Sequence, residues 1–206
     1  RYTESTHTMK PDTANSSLFL SLVIPCSRSG LAAVECAEQV RSVLDTYLPE
    51  QYEIITVVKK QEAPAERPTH PIQILEIEDD AGLSFGHGWK QARGNVLGVV
   101  DGALQYEPKN LSQMVHELQQ GSDFVLVDEY VSNDPVAEPR SIGGFAIRRN
   151  CLTNNRLNAQ SYQILIESLG PERVREIRQY QKELERVSSW RNYFNEIHSL
   201  FNINIK

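Results

Sequence analysis

The chain has 206 residues, of which 40% are hydrophobic and 23% are charged, and its formal net charge is −6. This length and composition are those of an ordinary globular domain, and they exclude a collagen, a disordered chain and a disulfide-stapled mini-protein. The negative charge argues against a broad nucleic-acid interface, because such an interface needs a basic surface.

The distribution of apolar residues predicts a polar tail followed by one α/β domain. Residues 1–17 lack hydrophobic periodicity and are expected to form a flexible tail, and residues 18–170 are expected to form the domain. The predicted strands are 18–25, 52–58, 71–77, 95–100, 122–127 and 144–147. The predicted helices are 31–47, a short one within 82–94, 108–120 and 162–169. This alternation is typical of a mostly parallel central sheet flanked by helices.

Residues 171–206 are predicted to form one long amphipathic helix, packed on the domain or on a partner. Pro171 suits a first helical turn. Apolar residues then recur every three or four positions. They are Val174, Ile177, Tyr180, Leu184, Val187, Trp190, Phe194 and Ile197. The mixed charge of the segment favours packing on the sheet or a homodimer contact over its alternative, a membrane-surface role.

The cysteines and the apolar segments indicate the cellular compartment of the protein. Cys26, Cys36 and Cys151 are widely spaced and include no CxxC pair, so neither a disulfide framework nor a zinc site is expected. A reducing compartment follows, and the chain is predicted to be cytoplasmic, with peripheral membrane contact as an option. The longest apolar stretch, 18–25, is much shorter than the roughly 20 residues of a transmembrane helix.

Ligands of open α/β sheets bind beyond the carboxyl ends of the strands, so the segments that follow the predicted strands are the first candidates for a site. The most suggestive reads Val-Val-Asp-Gly-Ala-Leu-Gln over 99–105, where Asp101 follows a buried strand. A carboxylate at this position can bind a cation or a ribose hydroxyl. Its side chain can equally well cap the following turn.

Several segments are informative because of their order along the chain. They read Leu-Val-Ile-Pro at 22–25, a glycine-rich stretch from 82, and Asp-Gly-Ala-Leu-Gln-Tyr-Glu-Pro at 101–108. Ser-Ile-Gly-Gly-Phe-Ala-Ile-Arg-Arg follows at 141–149, and Ser-Tyr-Gln-Ile-Leu-Ile-Glu at 161–167. As a series they resemble family 2 glycosyltransferases, and most of all the dolichyl-phosphate mannose synthase branch. The resemblance covers roughly residues 18–186 and implies the GT-A fold, a Rossmann-like nucleotide-diphospho-sugar transferase fold.

The resemblance implies transfer of a sugar from a UDP or GDP sugar to an acceptor such as a polyprenyl phosphate. It implies that Asp101 and Gln105 bind a divalent cation, Mg²⁺ or Mn²⁺, which neutralises the leaving diphosphate. Asp101 and Arg140 are the expected catalytic residues. Arg140 is expected to orient the acceptor phosphate in place of a family arginine that this chain lacks, because the guanidinium group fits phosphate geometry. The implied contacts to the nucleotide are Pro25, Ser27, Arg28, Lys59, Gly82 and Asp101.

The chain departs from the family pattern at three places. The family's D-A-D motif is reduced to Asp101-Gly102-Ala103, so a metal is expected to bind weakly. The acidic pair after the second strand is replaced by Lys59-Lys60, which cannot accept hydrogen bonds. These lysines either meet a phosphate directly or form a solvated loop. The arginine of the family's G-S-R-Y segment is replaced by Glu129.

These departures leave two other interpretations open. One is a catalytically inactive GT-A-fold protein that has a binding or scaffolding role. The other is an unrelated nucleotide-binding α/β protein. His87, placed in a strand-end loop between two glycines, and Cys26, after the first strand, lack an identifiable catalytic partner and are expected to be structural.

Overall fold

A computed structural model describes residues 18–25, 30–78, 84–100, 108–130, 141–153 and 169–180. The strands are β1 (Leu20–Pro25), β2 (Tyr52–Lys59), β3 (Ile72–Ile77), β4 (Val96–Val100), β5 (Phe124–Tyr130), β6 (Ser141–Arg148) and β7 (Val174–Tyr180). The helices are α1 (Gly30–Tyr47), α2 (Ser84–Gln91), α3 (Pro108–Gln119) and α4 (Arg149–Thr153). None of the helices in these ranges is long and apolar enough to cross a membrane.

The described strands form one sheet of seven in the order β3-β2-β1-β4-β6-β5-β7. β6 is antiparallel to β4 and β5, and the other neighbouring pairs are parallel. The six strands other than β6 therefore end at the same side of the sheet, which we call the carboxyl edge. The opposite side is the amino edge. The predicted α/β class with a mostly parallel sheet is confirmed.

Helices cover both faces of the sheet. α1 and α3 bury one face, where Leu44 and Leu118 are fully buried against residues such as Leu22. α2 lies on the other face, where the rings of Trp89 and Phe145 pack edge to face with centroids 5.9 Å apart. Burial on both faces explains why the central strands are nearly continuously apolar in the sequence.

The predicted C-terminal helix is wrong over residues 171–180. Pro171–Arg173 forms a single 3-10 turn, and the next seven residues form β7, paired in parallel with β5. Val174 packs in the core on the α2 face, whereas Ile177 packs in the core on the α1 and α3 face. In a strand, residues three apart point to opposite faces, so this spacing fits a strand buried on both sides as well as a helix. Residues 1–17, 154–168 and 181–206 lie outside the described residues, so the remaining predictions there are not addressed.

A buried polar network joins β1 and β2 to the connection between α2 and β4. The fully buried Glu53 carboxylate accepts hydrogen bonds from Ser21 Oγ at 2.6 Å, the Arg93 backbone amide at 2.7 Å and the Arg93 guanidinium at 2.7 and 2.9 Å. Ser21 Oγ in turn accepts a bond of 2.7 Å from the Gly94 amide. Burial by itself would raise the pKa of Glu53, but the hydrogen bonds from Ser21 and Arg93 outweigh it and hold the pKa below its ordinary value.

We expect Glu53→Gln to lower the free energy of unfolding by about 1–3 kcal/mol at pH 7, because the amide cannot accept all of these bonds. A carboxyl whose pKa is lower in the folded state stabilises the protein above its unfolded-state pKa, and this contribution disappears as the pH falls through the folded-state pKa. The difference between wild type and variant should therefore shrink between pH 7 and about pH 3. Urea denaturation over this range measures it.

Glu66→Gln is the matched control, since Glu66 is exposed. It should change the free energy of unfolding by less than about 0.5 kcal/mol. Equal destabilisation by the two substitutions would contradict the role given to the network.

Candidate functional site

The ends of four neighbouring strands meet at the carboxyl edge. Pro25 pairs with Val57, and Lys59 pairs with Ile77, the last residue of β3. Val99 pairs with Val23, so β4 ends within about two residues of the same level. Asp101 is the next residue in the chain after β4.

Three helices begin at the carboxyl edge. α1, α2 and α3 each follow a strand that ends there, and each leads into a strand that starts at the amino edge. Their first turns therefore direct backbone N–H groups, and the positive ends of their dipoles, toward this edge. Such a convergence favours an anion, for example a diphosphate.

α2 lies close against the sheet because Gly88 faces β1 and β2. A Cβ atom on Gly88 would lie 2.6 and 2.8 Å from the two γ-methyl groups of Val23 and 3.2 Å from a methyl group of Val57. Because Gly88 has no side chain, α2 packs directly against β1 and β2. This contact fixes the position of the first turn of α2 at the carboxyl edge. His87, predicted in a loop, is instead a half-buried residue within this helix.

Gly88→Ala is expected to lower the free energy of unfolding by about 1–3 kcal/mol, because the added methyl overpacks the contact with Val23. This direction is opposite to the intrinsic helix preference, which favours alanine over glycine by about 1 kcal/mol. Lys90→Ala, at an exposed position of the same helix, is the control and should be nearly neutral. Urea denaturation of both variants measures the difference, and a stabilised Gly88→Ala protein would refute the close packing.

Two of the predicted site residues lie in the described part of the chain. Pro25 is buried at the end of β1, and Lys59 is half-buried at the end of β2. The neighbouring Lys60 is exposed, and its Nζ lies 3.4 Å from Glu78 Oε1. The predicted residues that lie outside the described part, and whose roles remain predictions, are Ser27, Arg28, Gly82, Asp101, Gln105 and Arg140.

The predicted metal site has no counterpart among the described residues. Within them, no three His, Cys, Asp or Glu side chains form a group that could hold a metal ion. Its predicted ligands, Asp101 and Gln105, are not among these residues.

Asp128 is a candidate that is absent from the predicted site. It lies near the end of β5 and is only 4% exposed. Burial raises its pKa to about 7, with a further increase from Glu176 and a decrease from Arg178. In the sequence, the available signal is an acidic residue that directly follows the apolar run Phe-Val-Leu-Val.

No model of a known protein family matches the chain. Among curated proteins, the dolichol-phosphate mannosyltransferase of Pyrococcus furiosus is 25% identical over 48% of this chain and 37% of its own length. The match therefore spans well under half of that relative.

Solved structures of similar fold cover most of the chain. Mannosyl-3-phosphoglycerate synthase from Rubrobacter xylanophilus has a TM-score of 0.63 at 12% identity, over 87% of this chain and 73% of its own. Glucosyl-3-phosphoglycerate synthase from Mycobacterium tuberculosis, in complex with Mn²⁺, UDP-glucose and phosphoglyceric acid, has a TM-score of 0.60 at 12% identity, over 90% and 79%. A 4-diphosphocytidyl-2C-methyl-D-erythritol synthase from Anaerococcus prevotii has a TM-score of 0.57 at 14% identity, over 89% and 96%.

These structural likenesses concern the fold, because the identities are low. Together with the sequence match, they relate this chain to the nucleotide-sugar transferases of the GT-A fold.

Proposed function

We propose that the protein is a glycosyltransferase that moves a sugar from a nucleotide-diphosphate sugar to an acceptor. The observation that carries this proposal is the carboxyl edge, where four strand ends and three helix N-termini converge beside the point at which Asp101 follows β4 in the chain. The sequence match to a dolichol-phosphate mannosyltransferase supports it independently.

The proposed donor is a UDP or GDP sugar bound at this edge. Support comes from the Mycobacterium tuberculosis synthase of similar fold, which has been solved with UDP-glucose and with UDP. Pro25, Ser27, Arg28 and Gly82 are proposed to lie beside the nucleotide. Lys59, at the end of β2, would place a positive charge near the diphosphate in addition to the helix N-termini.

A divalent cation, Mg²⁺ or Mn²⁺, is proposed as a weakly held cofactor with Asp101 and Gln105 as its ligands. Such a cation neutralises the charge of the leaving diphosphate. One carboxylate and one amide are a poorer ligand set for a hard cation than two carboxylates, and Ala103 supplies no ligand. The charge of Lys59 does not depend on this cation, so part of the diphosphate affinity should persist without it.

Nucleotide binding tests the proposal directly. We expect UDP or GDP, or one of the conjugates UDP-glucose and GDP-mannose, to raise the melting temperature of the full chain. A ligand at 100 times its dissociation constant stabilises by about 2.7 kcal/mol, which corresponds to a shift of several degrees or less for a chain of this size.

Variants separate the contributions to that shift. Asp101→Asn should remove the part of the shift that depends on Mn²⁺, and Lys59→Gln should reduce the part that does not. Lys90→Gln is the control, because Lys90 is exposed in the last turn of α2 and lies away from the carboxyl edge.

The outcomes distinguish the candidate functions. Absence of a shift with all four nucleotides would overturn the transferase proposal and favour a scaffolding role. A shift without any turnover of the sugar conjugates would identify a catalytically inactive nucleotide-binding protein.

A further inference from the structure

We propose that two copies of this chain associate through β3, whose outer side pairs in antiparallel orientation with β3 of the partner. The two-fold axis of this dimer passes beside Leu75, and the seven-stranded sheet continues across the interface into the second copy. The inference concerns an interaction surface and does not depend on the proposed function. It places the contact on β3, whereas the homodimer contact expected from the sequence lies in residues 171–206.

The orientation of the peptide groups of β3 follows from its pairing with β2. Ile72 pairs with Ile54, and the Ile54 N–H group donates to the Pro71 carbonyl oxygen at 3.0 Å. Peptide groups along a strand point alternately to its two sides. Those of residues 71, 73, 75 and 77 therefore point toward β2, and those of residues 72, 74 and 76 point outward.

Two of these outward-pointing residues offer unused hydrogen-bonding groups. Within the described part of the chain, β3 is the terminal strand of the sheet and pairs only with β2. The Ile72 N–H group donates to the Thr69 carbonyl oxygen at 3.1 Å. No backbone hydrogen bond among the described residues uses the outward groups of Ile74 and Glu76. Each of these two residues thus presents one donor and one acceptor to a further strand.

β3 lacks the features that commonly protect an edge strand from pairing. Its sequence, Ile-Gln-Ile-Leu-Glu-Ile, contains no lysine, arginine or proline, and its register with β2 runs over six residues without a bulge. Ile74, Leu75 and Ile77 are half-buried, so part of their apolar surface is left at the edge. A regular edge strand of this kind is a template for another strand.

The strand at the opposite side of the sheet differs in charge. β7 is the other terminal strand, and it carries the exposed residues Arg175, Glu176 and Arg178. Charged side chains on an edge strand oppose pairing with another chain. The contrast between the two terminal strands favours β3 as the surface that pairs.

A second copy of β3 fits this edge because the outward groups are self-complementary. With Leu75 opposite the partner's Leu75, Ile74 lies opposite the partner's Glu76, and each such pair exchanges two N–H···O bonds. The two-fold axis generates this pair twice, which gives four bonds. A shift by two residues would instead place Glu76 opposite the partner's Ile72. The Glu76 carbonyl oxygen would then lack a donor, because the Ile72 N–H group is already bonded to Thr69.

The charges at the edge are compatible with this register. Glu76 is the charged residue of β3, and Arg67 forms an ion pair with it in the same copy. In the proposed register Glu76 faces an isoleucine, so like charges do not lie directly opposite each other. Association therefore brings together two neutralised ion pairs on one face and two leucines on the other.

A single cysteine tests the register directly. The two Leu75 residues form a non-hydrogen-bonded pair with Cα atoms about 4.5 Å apart, which is within the range of a disulfide. Leu75→Cys should thus give a covalent dimer on mild oxidation, above the level that the native cysteines give in the wild type. Gln73→Cys is the matched control. Residue 73 lies on the same face of β3, but its two copies would be about 14 Å apart. Non-reducing gel electrophoresis of the full chain measures both.

Sedimentation tests the backbone contribution. The wild type should show a concentration-dependent equilibrium between monomer and dimer. Glu76→Pro removes an outward N–H group, hence two of the four bonds, while the pairing with β2 does not use this group. It should raise the dimer dissociation constant by about 10-fold or more. Glu76→Ala is the control, because it also loses the ion pair with Arg67 but keeps the N–H group, and it should dimerise nearly as the wild type does.

Three results would each overturn the proposal. One is a wild type that stays monomeric over the whole concentration series. Another is crosslinking of Leu75→Cys no greater than that of Gln73→Cys. A third is the same dissociation constant for Glu76→Pro and Glu76→Ala. If Glu76→Pro fails to fold, which its melting curve reveals, the wild-type sedimentation and the cysteine pair still decide the question.

Discussion

The buried carboxylate of Glu53 is the interaction on which the placement of the site depends. It accepts hydrogen bonds from the Arg93 backbone amide and guanidinium, which connect Arg93 to β2. Ser21 Oγ on β1 accepts a hydrogen bond from the neighbouring Gly94 amide. These bonds anchor the residues that lead directly into β4. β4 thereby takes its place between β1 and β6, and its last residue, Val100, enters the row that reaches β5 through Gly144. The position of the β4 end at the carboxyl edge thus depends on a polar network near the amino edge.

Contacts that stabilise the fold lie at the amino edge of the sheet, and the proposed site lies at the carboxyl edge. At the amino edge, the Asp123 carboxylate forms ion pairs with Arg148 and Arg173, and the Arg149 guanidinium donates to the carbonyl oxygens of Ala92 and Gly94. These bonds tie β4, β5, β6 and the entry to β7 together. At the carboxyl edge, by contrast, burial raises the pKa of the Asp128 carboxyl to about 7, because an ionised carboxyl loses its hydration there. The ionic contacts that stabilise the fold and a carboxyl whose charged form burial disfavours therefore lie at opposite edges.

The order of strands and helices could be predicted because each buried strand is an apolar run bounded by polar or proline-containing segments. The same reasoning fails at β7, because the three-residue spacing of Val174 and Ile177 fits both a helix face and a strand buried on two sides. Pairing with the otherwise open edge of β5 decides between them, and such a long-range hydrogen-bond requirement leaves no local signal. Asp128 is missed for a related reason. Its significance comes from its register with β6 and β7, which no pattern within one segment encodes.

The departures from the family 2 pattern form a consistent set when they are placed on this fold. On the donor side, Ala103 removes one negative charge and Lys59 adds a positive one, so the attraction for a diphosphate is supplied in part by the chain itself. On the acceptor side, Asp128 and Glu129 take the places of a serine and an arginine of the family segment, so β5 contains no positively charged residue. The departures thus change the charge on both sides of the proposed site, toward positive on β2 and toward negative on β5.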